Sequence, residues 1–189
     1  MKIKKAHLST GLDIGSHTLK LVRLRFSNDT AELCDFDLQP VESGLGEALK
    51  KIKDPQDAHV NISVSGPMTV IRYAEFPRMD ETEFKQALKF EAQKHLPFSI
   101  EEVNFDSFIL KDNLTENKIL VLLAAVKKEL INQRLNLIAE AGLKAALIDL
   151  DAVALVNAFN FNYPQLSDDL RDKSIALLYI GAELSNLSI

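Results

Sequence analysis

Asp13, Gly15, Ser16, His17, Thr18 and Lys20 stand within a stretch of residue types suited to holding a phosphate chain: Leu12-Asp13-Ile14-Gly15-Ser16-His17-Thr18-Leu19-Lys20-Leu21. Gly15 lets the backbone turn sharply and lets an anion approach with no Cβ in the way. The N–H groups of Ser16, His17 and Thr18 can then form an anion-binding concavity. Asp13 could hold Mg²⁺ through water, because Mg²⁺ takes few carboxylates and keeps several waters. Lys20 brings a positive charge toward the phosphates. A plain β-hairpin with an outward lysine would explain one such stretch equally well. The balance shifts because the pattern returns as Leu178-Tyr179-Ile180-Gly181-Ala182-Glu183-Leu184-Ser185-Asn186-Leu187, with Gly181 at the turn and Ser185 as its hydroxyl residue. Two hairpins of this kind can face each other across a cleft and offer N–H groups to one phosphate chain. The recurrence points to one half of a duplicated nucleotide-binding fold plus the first hairpin of the other half.

Asp149 and Asp151 form a second candidate group, where a strand feeds a helix and α/β sheets often bind ligands. A helix N-cap with a neighbour accounts for this pair equally well. Other chemistries lack their signatures. There is no G-x-x-x-x-G-K-[ST], no G-x-G-x-x-G and no G-x-S-x-G. The histidines His7, His17, His59 and His95 are scattered, and with one cysteine no zinc spacing exists. Glu101/Glu102 and Asp168/Asp169 read as solvated loop charges.

These residues must be positioned by a mixed set of strands and helices. Residues 10–26 and 31–38 read as three strands, with Ser27-Asn28-Asp29 as a turn. Gly44–Ile52 is expected to be a short helix, 60–64 a strand broken by Ser65-Gly66-Pro67, and 70–76 an extended segment ending at Pro77. Asp80 followed by Glu83 predicts a capping box opening a helix that Leu96-Pro97 ends. Phe84, Leu88, Glu91 and His95 fall on one face of that helix, and Phe90 points away from it. Extended segments are expected at 103–110 and 118–126 around a polar loop, Lys111–Asn117. A helix over 128–141 carries Ile131, Leu135 and Ile138 at helical spacing, with Gly142 as its stop. A strand at 145–150, a helix at 152–161 and a polar loop or hinge over 162–173 lead to the second hairpin. A domain rarely ends on a fresh hairpin with nothing to cover it, so the natural protein is expected to continue past Ile189.

The 189 residues can bury a substantial core. The net charge of −5, without a long basic run, argues against nucleic-acid binding. A single cysteine, Cys34, excludes an internal disulfide and is expected to be a buried or half-buried strand residue. The basic start Met1-Lys2-Ile3-Lys4-Lys5 leads into no signal-peptide run. The longest apolar run, Ile119–Val126, is too short to span a bilayer, which takes about 20 helical residues, and reads as a buried strand. A cytoplasmic protein is expected.

Taken together, these motifs resemble the PilM family of type IV pilus assembly proteins, actin-like relatives of the cell-division protein FtsA. Asp13-Ile14-Gly15-Ser16 with Lys20 is similar to the family's first phosphate motif. More distinctive are Phe76-Pro77-Arg78-Met79, Phe90-Glu91-Ala92, Leu96-Pro97-Phe98 and Glu102-Val103. Ala141-Gly142-Leu143-Lys144 and Ile148-Asp149 resemble the return into the core. The resemblance implies an α/β fold: an actin-like, RNase H-like nucleotide-binding core over residues about 8–68 and 146–189. It also implies an inserted small α/β subdomain over about 69–145, and a chain truncated before the second lobe.

It further implies a cytoplasmic adaptor recruited to the inner membrane. The full-length protein would bind ATP with Mg²⁺ and dock a short cytoplasmic tail of a PilN-like membrane protein, with Phe90 as a candidate contact. The cytoplasmic part of the type II secretion protein GspL is a similar possibility. Family relatives usually carry an acid before the second Ile-Gly, where this chain has Tyr179, and their adenosine motif would lie beyond Ile189. ATP binding by this stretch alone is therefore expected to be weak or absent, and hydrolysis slow or absent. A sugar-kinase-like phosphotransferase and a docking protein with a relic cleft are the competing expectations.

Overall fold

A computed structural model describes residues 7–27, 30–52, 59–164, 166 and 173–189. It divides into two compact units, one built from residues up to Ser65 and from Leu135 onward, the other from Gly66–Arg134. The C-terminal half of the helix Lys128–Glu140 thus counts with the first unit, where the resemblance would leave it in the insert.

The first unit is organised by a five-stranded sheet. Its strands are β1 (His7–Ile14), β2 (Thr18–Ser27), β3 (Thr30–Pro40), β4 (His59–Val64) and, later in the chain, β8 (Lys144–Leu150). They lie in the order β3-β2-β1-β4-β8, with β1, β2 and β3 antiparallel and β1, β4 and β8 parallel. Side chains alternate across a strand, so one face takes Leu12, Ile14, Leu19, Leu21, Val60 and Ile62. Helix α1 (Leu45–Lys50) closes that face with Ala48 and Leu49, joined by Ile52, Ile138 and Leu143. The same alternation sends Asp13, Lys20 and Ser63 to the opposite face. Helix α4 (Asp151–Asn162) follows β8, and a separate two-stranded ribbon of β9 (Leu177–Ile180) and β10 (Ser185–Ser188) ends the unit.

The second unit is a three-stranded antiparallel sheet, β5 (Thr69–Pro77), β7 (Lys118–Lys127) and β6 (Val103–Leu114), in the order β5-β7-β6. Helix α2 (Glu81–His95) packs on it, and Asp80 makes the expected capping box: its carboxylate accepts from the Thr82 and Glu83 N–H groups, while Glu83 reaches back to the Asp80 N–H. Ile119, Val121, Leu123 and Ala125 form the buried row of β7, so the longest apolar run is a buried strand. Phe76 is 1% exposed and meets the Phe84 ring edge-on at 5.5 Å.

Several expectations need correction. On α2 the fully buried position is Ala92, and His95 is exposed with its ring 6.3 Å from Phe76. Residues 111–114 continue β6 through two register shifts, and only Thr115–Asn117 forms the turn. In helix α3 (Lys128–Glu140) Ile138 is buried but Leu135 is 38% exposed, because Leu137 and Ala141 pack beside Ile138 instead. Gly142 ends α3 at a φ of 77°, a conformation that favours glycine. Cys34 is exposed, since β3 is a sheet edge. Residues 28 and 29 of the first turn, most of the 162–173 loop including Asp168 and Asp169, and residues 1–6 lie outside the described residues.

Candidate phosphate-binding site

The two glycine hairpins are built alike. In the first, the last paired residues are Ile14 and Leu19, leaving Gly15–Thr18 as the turn. In the second they are Ile180 and Ser185, leaving Gly181–Leu184. A Cβ on Gly15 would lie 2.6 Å from the Thr18 carbonyl oxygen, and one on Gly181 would lie 2.7 Å from that of Leu184. The Gly181 N–H donates to the Leu184 carbonyl at 2.9 Å. Each turn therefore closes onto its own glycine so tightly that no side chain fits.

One register step further along, Asp13 stands opposite Lys20, and Tyr179 stands opposite Asn186. Asp13, Tyr179 and Asn186 line one cavity of about 160 Å³, together with Ser63, Asp151, Ala152 and Leu155. Matching positions of both hairpins thus reach one space, floored by the end of β4 and the first turn of α4. The Lys20 Nζ donates to Asp13 Oδ2 at 2.6 Å and stands 5.9 Å from the centroid of the Tyr179 ring. The hydrogen bond to Asp13 holds the Lys20 ammonium above its ordinary pKa of 10.5; burial opposes this, and the Asp13 charge and Tyr179 add to it. Lys20 is cationic at neutral pH.

The remaining candidates separate. Ser16 and His17 are exposed at the first turn, with Ser16 Oγ 3.2 Å from His17 Nδ1, and Thr18 is half-buried. Asp151 opens α4 and lines the cavity, whereas Asp149 does not; its Oδ1 accepts from the Leu150 N–H at 2.7 Å. Neither aspartate is the N-cap, which is Leu150 without a side-chain bond. Ser185 is exposed on β10, and the neighbouring Asn186 is the residue that reaches the cavity. Sequence reasoning passed over Asn186 and Ser63. The signal for Asn186 was its spacing, since it follows Gly181 by the same interval as Lys20 follows Gly15. Phe90 lies in the other unit, 71% exposed, with the Lys94 Nζ 4.9 Å over its ring.

The cavity lining itself brings two carboxylates, Asp13 and Asp151, with the Ser63 hydroxyl, the Tyr179 ring and the Asn186 carboxamide, and Lys20 stands beside it on Asp13. On the metal side, the Asp13 carboxylate is engaged by Lys20 and Tyr179 brings no carboxylate. Among the described residues no three His, Cys, Asp or Glu side chains gather as a metal would need.

The family model of the type IV pilus assembly protein PilM matches residues 11–189. The chain belongs to this family. Its mixed α/β architecture is the actin-like fold of PilM. A solved PilM–PilN type IV pilus biogenesis complex matches it with a TM-score of 0.79 at 24% identity, over 95% of this chain and 56% of that one. The cytoplasmic domain of EpsL, an inner-membrane component of the type II secretion system of Vibrio cholerae, matches with a TM-score of 0.52 at 16% identity, over 79% of this chain and 59% of that one. This PilM-family chain therefore spans just over half the length of the relatives it matches. Among its described residues no helix is long and apolar enough to cross a membrane.

Gly15→Ala should force the first turn open and cost about 1–3 kcal/mol, as overpacking does. Gly11→Ala on the same strand, where the nearest atom to the added carbon is 4.0 Å away, should stay within about 0.5 kcal/mol of the parent. Urea denaturation of the two variants checks the difference.

Proposed function

We propose that this chain is the phosphate-binding part of an actin-like adaptor in a type IV pilus inner-membrane assembly platform. In this reading the full-length protein takes the phosphates of ATP between its two hairpins and docks a short cytoplasmic tail of a PilN-like membrane protein. It acts in the cytoplasm and is held at the inner membrane by that partner. The observation that carries the nucleotide half is the single cavity lined by Asp13 of the first glycine hairpin and by Tyr179 and Asn186 of the second. The partner half rests on family membership and on the likeness to a solved PilM–PilN complex.

The residues divide the work. In this reading the turns Gly15–Thr18 and Gly181–Leu184 present backbone N–H groups to phosphate oxygens, Gly15 and Gly181 being required for each turn to close. Lys20 turns from Asp13 toward the anion. Asp151 and the first turn of α4 close the far side, the helix N-terminus offsetting the aspartate's charge.

Phosphoryl transfer depends on positioned charge and metal. With Tyr179 at the position of the second acid, hydrolysis is slow or absent and the protein works as an adaptor. A sugar-kinase-like activity would require a catalytic acid or base beside a second substrate. The likeness to the EpsL cytoplasmic domain keeps a type II secretion platform as the nearest alternative setting.

Titrating ATP into the isotopically labelled chain should shift the amide signals of Gly15–Thr18 and Gly181–Leu184 together, in the millimolar range, while adenosine leaves them unmoved. Lys20→Met should abolish the shifts. Shifts confined to one hairpin, or equal effects of adenosine, would refute the shared site.

For the partner, Phe90→Ala should leave stability within about 0.5 kcal/mol. It should weaken binding of a PilN-like tail peptide by at least about fivefold if Phe90 anchors the tail. Fluorescence anisotropy with the labelled peptide measures this, and unchanged affinity in the folded variant would remove Phe90 from the interface.

A further inference from the structure

The three-stranded sheet of the second unit has two unlike faces. On one, Val121 and Leu123 of β7 pack with Phe84 and Ala92 of α2. Alternation along the strands sends Tyr73, Leu122 and Phe108 to the other. Leu122 pairs with both aromatic residues, so the three form one row across β5, β7 and β6. Tyr73 is 64% exposed and Phe108 67%. A contiguous apolar strip left in water marks an interaction surface. In the next row Glu75 and Lys111 both pair with Leu120, one from each edge of the sheet. Lys118 is shared between Glu75 at 3.3 Å and Glu116 at 3.0 Å, which leaves negative charge uncancelled at the Glu75 edge. Asp112 falls in the bulge between Lys111 and Leu114, outside these rows.

The second row thus runs acid, leucine, base from edge to edge, and a surface that complements it must run base, leucine, acid. The same sheet turned over about an axis along β7 does so. We infer that this face is a self-association surface, taking a second copy of this chain in a two-fold, face-to-face dimer. β5 of each copy lies over β6 of the other, with Tyr73 on Phe108 and Glu75 on Lys111, and every contact occurs twice. Aligned packing of this kind is an ordinary way for two sheets to meet. Asp106 comes beside Ile71 of the other copy, at a sheet edge where its carboxylate stays in water. The nine paired residues of β5 and β7, on three strands about 4.8 Å apart, give a face roughly 14 Å wide and 30 Å long. Two such faces bury on the order of 1,000 Å², the lower end for a specific interface, so the dimer is transient. The inference goes beyond the adaptor reading and depends on neither its nucleotide half nor its tail half. Phe90 stands on α2, which covers the opposite face.

Sedimentation equilibrium of the whole chain over a concentration series tests this. The parent should dimerise with a dissociation constant in the micromolar-to-millimolar range. Tyr73→Ser and Phe108→Ser should each weaken the dimer at least about tenfold, because each removes two central aromatic contacts. Glu75→Lys and Lys111→Glu should each weaken it about three- to tenfold at low salt, since like charges then face each other twice, and less at high salt. An equimolar mixture of these two charge variants should recover parent-like association, because their heterodimer restores both acid–base contacts. Amide spectra check that each variant is folded, and the charge variants, at exposed positions, carry the test should a serine variant unfold. A parent that stays monomeric into the millimolar range would overturn the inference and leave the face to a different protein. So would a dimer indifferent to the aromatic changes, or a mixture of charge variants that associates no better than either alone.

Discussion

The architecture around the candidate site depends on a close approach: a carbonyl oxygen, Thr18 in one hairpin and Leu184 in the other, comes where the Cβ of any residue but glycine would sit. That contact closes each turn to four residues and so fixes the register of the strands on either side. The register in turn decides which side chains face each other one step away. Asp13 meets Lys20, and Tyr179 meets Asn186, only because the turns close where they do. A one-residue slip would exchange the two faces of the strand. Leu12, Ile14, Leu19 and Leu21 would leave the core, and Asp13 and Lys20 would enter it. The hydrophobic core and the polar site are therefore set by one geometric condition and cannot drift independently.

The site's electrostatics follow from that pairing. A lysine locked onto an aspartate at 2.6 Å is a poor partner for a free metal ion but a movable cation for a phosphate. Exposed ion pairs of this sort contribute little to stability, so parting Lys20 from Asp13 is a small cost against charge-assisted bonds to an incoming anion. Tyr179 adds surface to the cavity and a resting place for the ammonium.

Much of the fold was legible in local chemistry. Asp80 and Glu83 announced α2, the alternation of Ile119–Val126 announced a buried strand, and Gly142 marked the end of α3. The resemblance carried by the central motifs led to the right family. What escaped was whatever depends on pairing between distant residues. Asn186 carries no motif of its own, and only its register against Tyr179 brings it to the cavity. Ser63 sits on β4 beyond the reach of any local pattern. Lys111 to Leu114 read as loop because they are polar, yet β7 extends far enough to pair with them across two bulges. His95 was placed by helical spacing and Cys34 by residue type, and neither can tell the last turn of a helix or an edge strand from a covered one.

The central claim is that two hairpins far apart in sequence hold one phosphate chain. A crystal structure of the chain, or of a longer natural form, soaked with a non-hydrolysable ATP analogue tests it most directly. The account predicts phosphate density within hydrogen-bonding distance of backbone N–H groups in both Gly15–Thr18 and Gly181–Leu184, with the Lys20 ammonium moved from Asp13 to a phosphate oxygen. Phosphates bound to one hairpin alone, or bound elsewhere with the Lys20–Asp13 pair intact, would contradict it.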